Sequence, residues 1–214
     1  MIGGEQCFGH SISMGGHTDA ATLREVLIGA TAVVVAENMI RFAESRHDGS
    51  APRLDLYAHW PDLEGYSAVA SGDFNHISVS RRIIFMTIEE QSMSRDMSGR
   101  LEPIYRSLID MPGRRGPADL TIYDFGPKSG YVDETLVVAE SQGGMPFVAR
   151  CLTGRNATES LAPCERDIEI ADNLSLTFRF PSDFFPEWRE LEAAIRSKVN
   201  SLLKAAGPRL PAQS

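Results

Sequence analysis

The stretch 164-CERDIEIADNLSLTFRF-180 contains two runs typical of β-strands, CERDIEIA and LSLTFRF. Asp172 and Asn173 stand between the runs, and both residue types favour tight turns. Two strands that are joined by so short a turn pair antiparallel. The stretch therefore predicts a β-hairpin in the last quarter of the chain.

Further strand candidates precede this hairpin at close intervals. They are PFVARCL (146–152), ETLVVAES (134–141), DLTIYDF (119–125), RRIIFMTIE (81–89), RLDLYAHW (53–60), and residues 25–42 as one long or two short strands. Residues 53–60 alternate apolar and polar side chains, which is the period of a half-buried strand. Because short turns rather than alternating helices connect the strands, the pattern argues against a doubly wound parallel sheet.

Two helices are predicted. A central amphipathic helix is indicated by apolar residues at helical spacing, with Ser98 as its N-cap and Pro112-Gly113 as its stop: Leu101, Ile104, Tyr105, Leu108 and Ile109. A closing helix over residues 186–204 carries one apolar stripe: Trp188, Leu191, Ile195, Val199 and Leu202.

These elements predict an α+β fold, a mainly antiparallel sheet with one central amphipathic helix and a long C-terminal helix packed on it. We expect a disordered leader over residues 1–24, one globular domain over 25–206 and a disordered tail over 207–214. Trp60 and Trp188 are predicted to be core anchors.

The charge of the chain limits its partners. The formal net charge is -8 and the pI is about 5.1, which opposes binding to nucleic acid or to anionic lipid. No apolar stretch is long enough to span a bilayer, and no secretory signal is visible in the first twenty residues.

Two of the three cysteines, Cys151 and Cys164, flank the polar, turn-rich insert LTGRNATESLAP. That spacing suits a hairpin whose strand ends are bridged by a disulfide, which would stabilise the fold by about 3 kcal/mol. Two reduced thiols in a cytosolic protein are the alternative. Cys7 is interpreted as unpaired.

One group of polar residues is a candidate pocket: His59, Asp62, Glu64, Asp73 and His76. These residue types serve as acids, bases or metal ligands, but their spacing matches no compact metal-site pattern. A solvated loop is the simpler interpretation. Nucleophile elbows and phosphate-binding glycine loops are missing, so the sequence predicts no catalytic residue, metal or cofactor.

Six segments resemble a group of uncharacterised proteobacterial envelope proteins: WPDLEGY, MSRDMSGRLEPIY, PKSGY, PFVARCL, APCERDI and LTFRFPSDFFPEWRELEAAIR. The resemblance covers roughly residues 25–205. It implies a periplasmic domain behind a membrane anchor or export signal, in a compartment where oxidation would join Cys151 to Cys164. No anchor is visible before residue 25, so either the true start lies upstream or the protein is not exported.

Three hypotheses of function follow. The first is an envelope-associated, periplasm-facing binding or structural domain with an unknown protein or envelope partner. The second is a small hydrolase that uses the candidate pocket in residues 59–76. The third is a cytosolic partner-binding or inhibitor-like protein with reduced thiols.

Overall fold

The described part of the chain forms a large sheet, a small sheet and a long C-terminal helix. The structure is a computed structural model, and it describes residues 16–76, 81–141 and 144–204. The strands are β1 (Leu23–Ile28), β2 (Thr31–Ala36), β3 (Gly49–Ser50), β4 (Arg53–His59), β5 (Ile83–Glu90), β6 (Arg114–Arg115), β7 (Thr121–Asp124), β8 (Glu134–Ala139), β9 (Phe147–Leu152), β10 (Cys164–Ala171) and β11 (Leu174–Phe180).

Short helices occupy the connections between strands. The α-helices are α1 (Ser71–Phe74), α2 (Met97–Arg100), α3 (Gly154–Glu159) and the long α4 (Trp188–Lys204). The 3-10 helices are Glu37–Met39, Ala43–Ser45, Tyr105–Ser107 and Ser182–Glu187. The last of these leads directly into α4.

The large sheet has eight antiparallel strands in the order β4-β5-β11-β10-β9-β8-β7-β6. The predicted hairpin is confirmed, since β10 pairs with β11 around a turn in which Asn173 has a positive φ of 58°. The small sheet has the order β2-β1-β3, with β1 antiparallel to β2 and parallel to β3. The prediction of a mainly antiparallel architecture is correct.

One face of the large sheet forms the main core. Along β4, β5, β10 and β11 alternate side chains point into this core, as the period of a strand requires. The small sheet and α4 cover the face, and the helix contributes Leu191, Ile195, Val199 and Leu202. Trp60 is buried in this core, whereas Trp188 is partly buried and packs against it.

Among the described residues, clusters at its two ends cover the opposite face of the large sheet. Segment 97–109 lies over β7, β8 and β9, where Leu101, Tyr105 and Ile109 pack in a second cluster. The later part of segment 60–76 lies over β4 and β5, where Tyr66 and Phe74 contribute to a third cluster, whereas Trp60 and Leu63 pack in the main core. We call this face, which α4 does not cover, the open face.

The predicted central helix is wrong as a continuous element. Ser98 is not its cap, because α2 is capped by Asp96, whose side chain accepts a hydrogen bond from the Gly99 N–H at 2.9 Å. The segment continues as turns and a single 3-10 turn. Pro103 explains the break, since proline has no N–H to donate and its ring clashes with a helical backbone.

The predicted leader, residues 1–24, lies only in part within the described residues. The structure describes residues 16–24, and β1 begins at Leu23. The carbonyls of Ala20 and Thr22 accept hydrogen bonds from Asn38 and Glu37. Residues 1–15 and the tail 207–214 lie outside the described residues.

Cys151 and Cys164 are joined by a disulfide in the structure. They are directly opposite one another on β9 and β10, so the bond links neighbouring strands of the large sheet. Both are buried, and Cys164 has no exposed surface. The insert between them forms the short helix α3.

Candidate functional site

The predicted pocket is brought together only in part. His59, at the end of β4, places Nε2 3.0 Å from Oδ2 of Asp73 and Nδ1 3.5 Å from Oδ1 of Asp62. His59 and Asp73 are largely buried, while Asp62 is exposed. The histidine therefore attaches segment 60–76 to the end of the sheet.

The other two residues of the predicted pocket lie elsewhere. Glu64 forms an ion pair with Lys198 of α4 at 3.2 Å, and His76 lines a separate cleft. Within the described ranges, no group of three or more His, Cys, Asp and Glu side chains is placed to hold a metal ion.

The separate cleft, which we call the Arg41 cleft, opens on the open face beside β4 and β5. Its described lining is mostly aromatic and basic, with no acidic side chain: His17, Arg41, Phe42, Tyr57, Phe74, Asn75, His76, Ile83 and Phe85. The guanidinium carbon of Arg41 lies 5.0 Å from the ring centre of Phe42 and 4.7 Å from that of Phe85. Such cation–π contacts hold the arginine side chain in one place.

Two histidines stand in the same cleft. His17 stacks on Tyr66 with ring centres 4.8 Å apart, and its Nδ1 is 3.0 Å from the hydroxyl of Tyr57. Burial lowers the pKa of His17, and the charges of Arg46 and His76 lower it further. Burial also lowers the pKa of His76, with a second contribution from Arg41. Both shifts favour the neutral form of the imidazole.

A second cleft, the central groove, crosses the middle of the open face between the two covering segments. Arg100 of α2 pairs with Asp167 of β10 at 2.6 Å, and the same carboxylate accepts a hydrogen bond from the Met97 N–H at 2.9 Å. Arg150 of β9 pairs with Glu165. The first pair fastens α2 to the sheet and the second links β9 to β10, and both make the floor of the groove polar.

A third cleft lies on the other side of the sheet and contains a buried arginine. Arg166, only 2% exposed, donates to the carbonyl of Val148 at 2.8 Å and to Glu192 of α4 at 3.0 Å. Its guanidinium lies 4.7 Å from the ring centre of Phe147. Burial alone would raise the pKa of Glu192, but Arg166 and a hydrogen bond from Arg196 outweigh it, so the pKa falls below its ordinary value.

Sequence reasoning missed both arginines. Arg166 had a signal, since it occupies an inward position of β10 between Cys164 and Ile168, where the period of the strand places apolar side chains. No pattern in the sequence around Arg41 marked this residue. Its environment depends on Phe85, which a distant strand brings beside it.

Comparison with known proteins adds a fold relationship. No family model and no curated protein matches the chain. Its fold is similar to that of Smlt3025, an immunity protein of the Stenotrophomonas maltophilia type IV secretion system, with a TM-score of 0.55 and 13% identity over 87% of this chain and 94% of that one. It is also similar to FrpD, an iron-regulated outer membrane lipoprotein of Neisseria meningitidis, with a TM-score of 0.50 and 11% identity over 87% and 95% of the two chains.

At sequence identities this low, the structural similarity shows a shared fold. The similarity spans most of all three chains, so it concerns the whole arrangement of sheets and helix. None of the described helices is long and apolar enough to cross a membrane.

Proposed function

We propose that this chain is an immunity-type protein of the cell envelope, which protects its own cell by binding a protein toxin. The observation that carries the proposal is the fold similarity to an immunity protein over nearly the full length of both chains. Immunity proteins of other folds act by binding their toxins, in some pairs with extreme affinity. The partner of this chain is accordingly a protein.

The disulfide supports the compartment. Disulfides persist in oxidising compartments such as the bacterial periplasm and are rare in the reducing cytosol. Cys151 and Cys164 are paired across neighbouring strands, which suits a structural bond. The second neighbour is an outer membrane lipoprotein, which is also an envelope protein. The proposed location is the periplasm, free or attached to a membrane by a segment that is not described.

The open face is the proposed binding surface. The small sheet and α4 cover the other face, whereas the open face presents the central groove and the Arg41 cleft. Three large apolar side chains are exposed on the segments that border these clefts: Phe42, Val69 and Met93. Protein interfaces combine such apolar residues with arginine and aromatic anchors.

A competition experiment tests the proposed function. The gene is deleted in the source bacterium, and the deletion strain is grown in contact with its unmodified parent. We expect the parent to eliminate the deletion strain, and we expect rescue by the chain behind a periplasmic export signal but not by the same chain retained in the cytoplasm. The control is an unrelated competitor that the parent kills under the same conditions. If the parent kills this control but not the deletion strain, the proposal is wrong.

A thiol measurement tests the compartment separately. Protein from the native host is alkylated under denaturing conditions, with and without prior reduction, and its intact mass is measured. We expect Cys151 and Cys164 to be alkylated only after reduction. Alkylation of both without reduction would favour the cytosolic alternative, an inhibitor-like protein with reduced thiols.

A further inference from the structure

The Arg41 cleft offers a fixed cation that has no carboxylate partner among the described residues. Arg41 is exposed, yet its guanidinium carbon lies within 5.0 Å of the ring centres of both Phe42 and Phe85. We propose that this cleft is the anchor for an acidic side chain, aspartate or glutamate, on the partner protein. The proposal rests on the proposed function, because it identifies the chemistry of the partner at one point of its interface.

One acidic group that interacts with Arg41 through its charge is already engaged. Asp55 on β4 is close enough for Arg41 to affect its pKa, but its carboxylate accepts two hydrogen bonds from Arg53, at 2.6 and 2.8 Å, and one from Thr87 at 2.8 Å. Residues 77–80, Ile-Ser-Val-Ser, lie outside the described ranges and contain no acidic side chain. Among the described residues, the Arg41 side chain therefore keeps its donors available for an external carboxylate.

The neighbouring arginine performs a different task. Arg46 donates to the backbone carbonyls of Ile40 and Arg41, at 3.2 and 3.4 Å. These bonds fix the short segment that carries Arg41, so the backbone below the guanidinium is held as well as its side chain. An anchor that is ordered before binding loses less conformational entropy when its partner arrives.

The lining defines the ligand more closely. Arginine presents a planar fork that binds a carboxylate through two parallel hydrogen bonds. Phe74, Ile83 and Phe85 form an apolar wall beside it. The best occupant is an acidic residue next to an aromatic or aliphatic one. The local charge selects the same occupant, because the described lining contains Arg41 and two histidines and no acidic side chain.

The histidines make binding depend on pH. His76 and His17 line the cleft, and a bound carboxylate would favour their protonated forms. Binding should therefore tighten as the pH falls toward 6, while the carboxylate itself stays ionised. Among the described residues, the other titratable groups that face these histidines are Arg41, Arg46, Tyr57 and Tyr66. Burial raises the pKa of Tyr57 above its ordinary value.

A peptide titration of the full chain tests the cleft directly. The probes are acetyl-Glu-Phe-amide and its neutral match acetyl-Gln-Phe-amide, and the readout is the backbone amide NMR spectrum. We expect saturable shifts around Arg41, His76 and Phe85 with the Glu peptide, and an affinity for the Gln peptide lower by about fivefold or more. Binding should strengthen from pH 7.5 to pH 6. Equal binding of the two peptides, or no saturation at about 20 mM, would overturn the proposal.

Two arginine variants provide the matched comparison. Arg41→Gln should abolish the preference for the Glu peptide, whereas Arg115→Gln should retain it. Arg115 is an exposed arginine on β6, at the opposite edge of the large sheet, so the two variants have the same net charge. If both variants bind as the wild-type chain does, the Arg41 cleft is not the binding site.

The competition experiment separates this inference from the proposed function. Rescue by the exported wild-type chain together with failure by exported Arg41→Glu supports both, provided that the variant has the melting temperature of the wild-type chain. Full protection by Arg41→Glu would leave the immunity function standing and would overturn the Arg41 cleft as partner anchor. If the parent eliminates none of the strains, the proposed function is wrong. The peptide titration would still decide whether the cleft binds carboxylates.

Discussion

The buried pair between Arg166 and Glu192 gives a quantitative prediction about stability. Replacing Arg166 with Met removes a buried charge, on a side chain that is 2% exposed, and leaves Glu192 with only Arg196 as a cationic partner among the described residues. Breaking a buried ion pair costs about 3 to 5 kcal/mol of unfolding free energy, because the remaining charge is desolvated without its partner. We expect about 3 kcal/mol for Arg166→Met, since Arg196 still hydrogen-bonds Glu192 at 2.9 Å.

Removing the carboxylate should cost more. Glu192→Gln leaves the guanidinium of Arg166 buried with no anion, held only by the Val148 carbonyl and the Phe147 ring. The expected loss is near the upper end of the same range, about 4 to 5 kcal/mol. The double variant should lose less than the sum of the two single variants by about 2 kcal/mol, because neither charge remains to be left unpaired.

Urea unfolding at pH 7 of the wild-type chain, the two single variants and the double variant measures these differences in unfolding free energy. Arg196→Gln is the control, since it removes an exposed partner of the same carboxylate and should cost under about 0.5 kcal/mol. A loss for Arg166→Met no larger than that for Arg196→Gln would refute the reasoning, as would strict additivity in the double variant.

The pH dependence of stability follows from the same pair. The folded protein holds the pKa of Glu192 below its ordinary value, so the folded state favours the ionised form. The stabilisation is present above the pKa of the unfolded chain, about 4.3, and is lost as the pH falls through the lower folded value. Unfolding free energy measured from pH 6 to pH 3 should therefore fall less steeply for Glu192→Gln than for the wild-type chain.

Three further perturbations have defined outcomes. Reduction of the disulfide between Cys151 and Cys164 should lower the unfolding free energy by about 3 kcal/mol and the melting temperature by about 6 to 12 °C, and an unchanged urea midpoint would contradict this. Asp167→Ala should lower the unfolding free energy by about 2 kcal/mol and speed hydrogen exchange at the Met97 amide of α2, which donates to Asp167 in the wild-type chain. The same exchange rate at this amide in both proteins would show that other contacts hold α2. Gly65→Ala should cost about 1 to 3 kcal/mol in thermal unfolding, because a Cβ there would lie 2.5 Å from the carbonyl oxygen of Asn38, and a neutral result would mean that segment 60–76 adjusts freely.

The strands were predictable because their information is local. Period-two alternation along residues 53–60 and the turn at Asp172-Asn173 are visible in a few consecutive residues, and the structure forms strands and a hairpin there. The central helix failed because the apolar spacing of residues 101–109 outweighed one proline in the sequence reasoning. The spacing still identified side chains that the structure buries, Leu101, Tyr105 and Ile109.

The clefts depend on information that is not local. The interaction between His59 and Asp73 requires segment 60–76 to fold back over the sheet. The sequence shows both residues but not the course of the chain between them. Glu64 was grouped with them by proximity in the sequence, but the structure directs it to Lys198 on α4. The Arg41 cleft requires β5 to lie beside the segment after β2, which no local pattern specifies.

The bond between β9 and β10 has a consequence for proteolysis. The helix α3 lies between its two cysteines, and the exposed Arg155 in that helix is a site that a trypsin-like protease could reach. A chain cut after Arg155 would remain one covalent molecule, since the disulfide spans the cut and the ladder between the strands holds the fragments in register. The nick would be silent in size exclusion and in a non-reducing gel, and it would appear only when a reductant separates the two pieces.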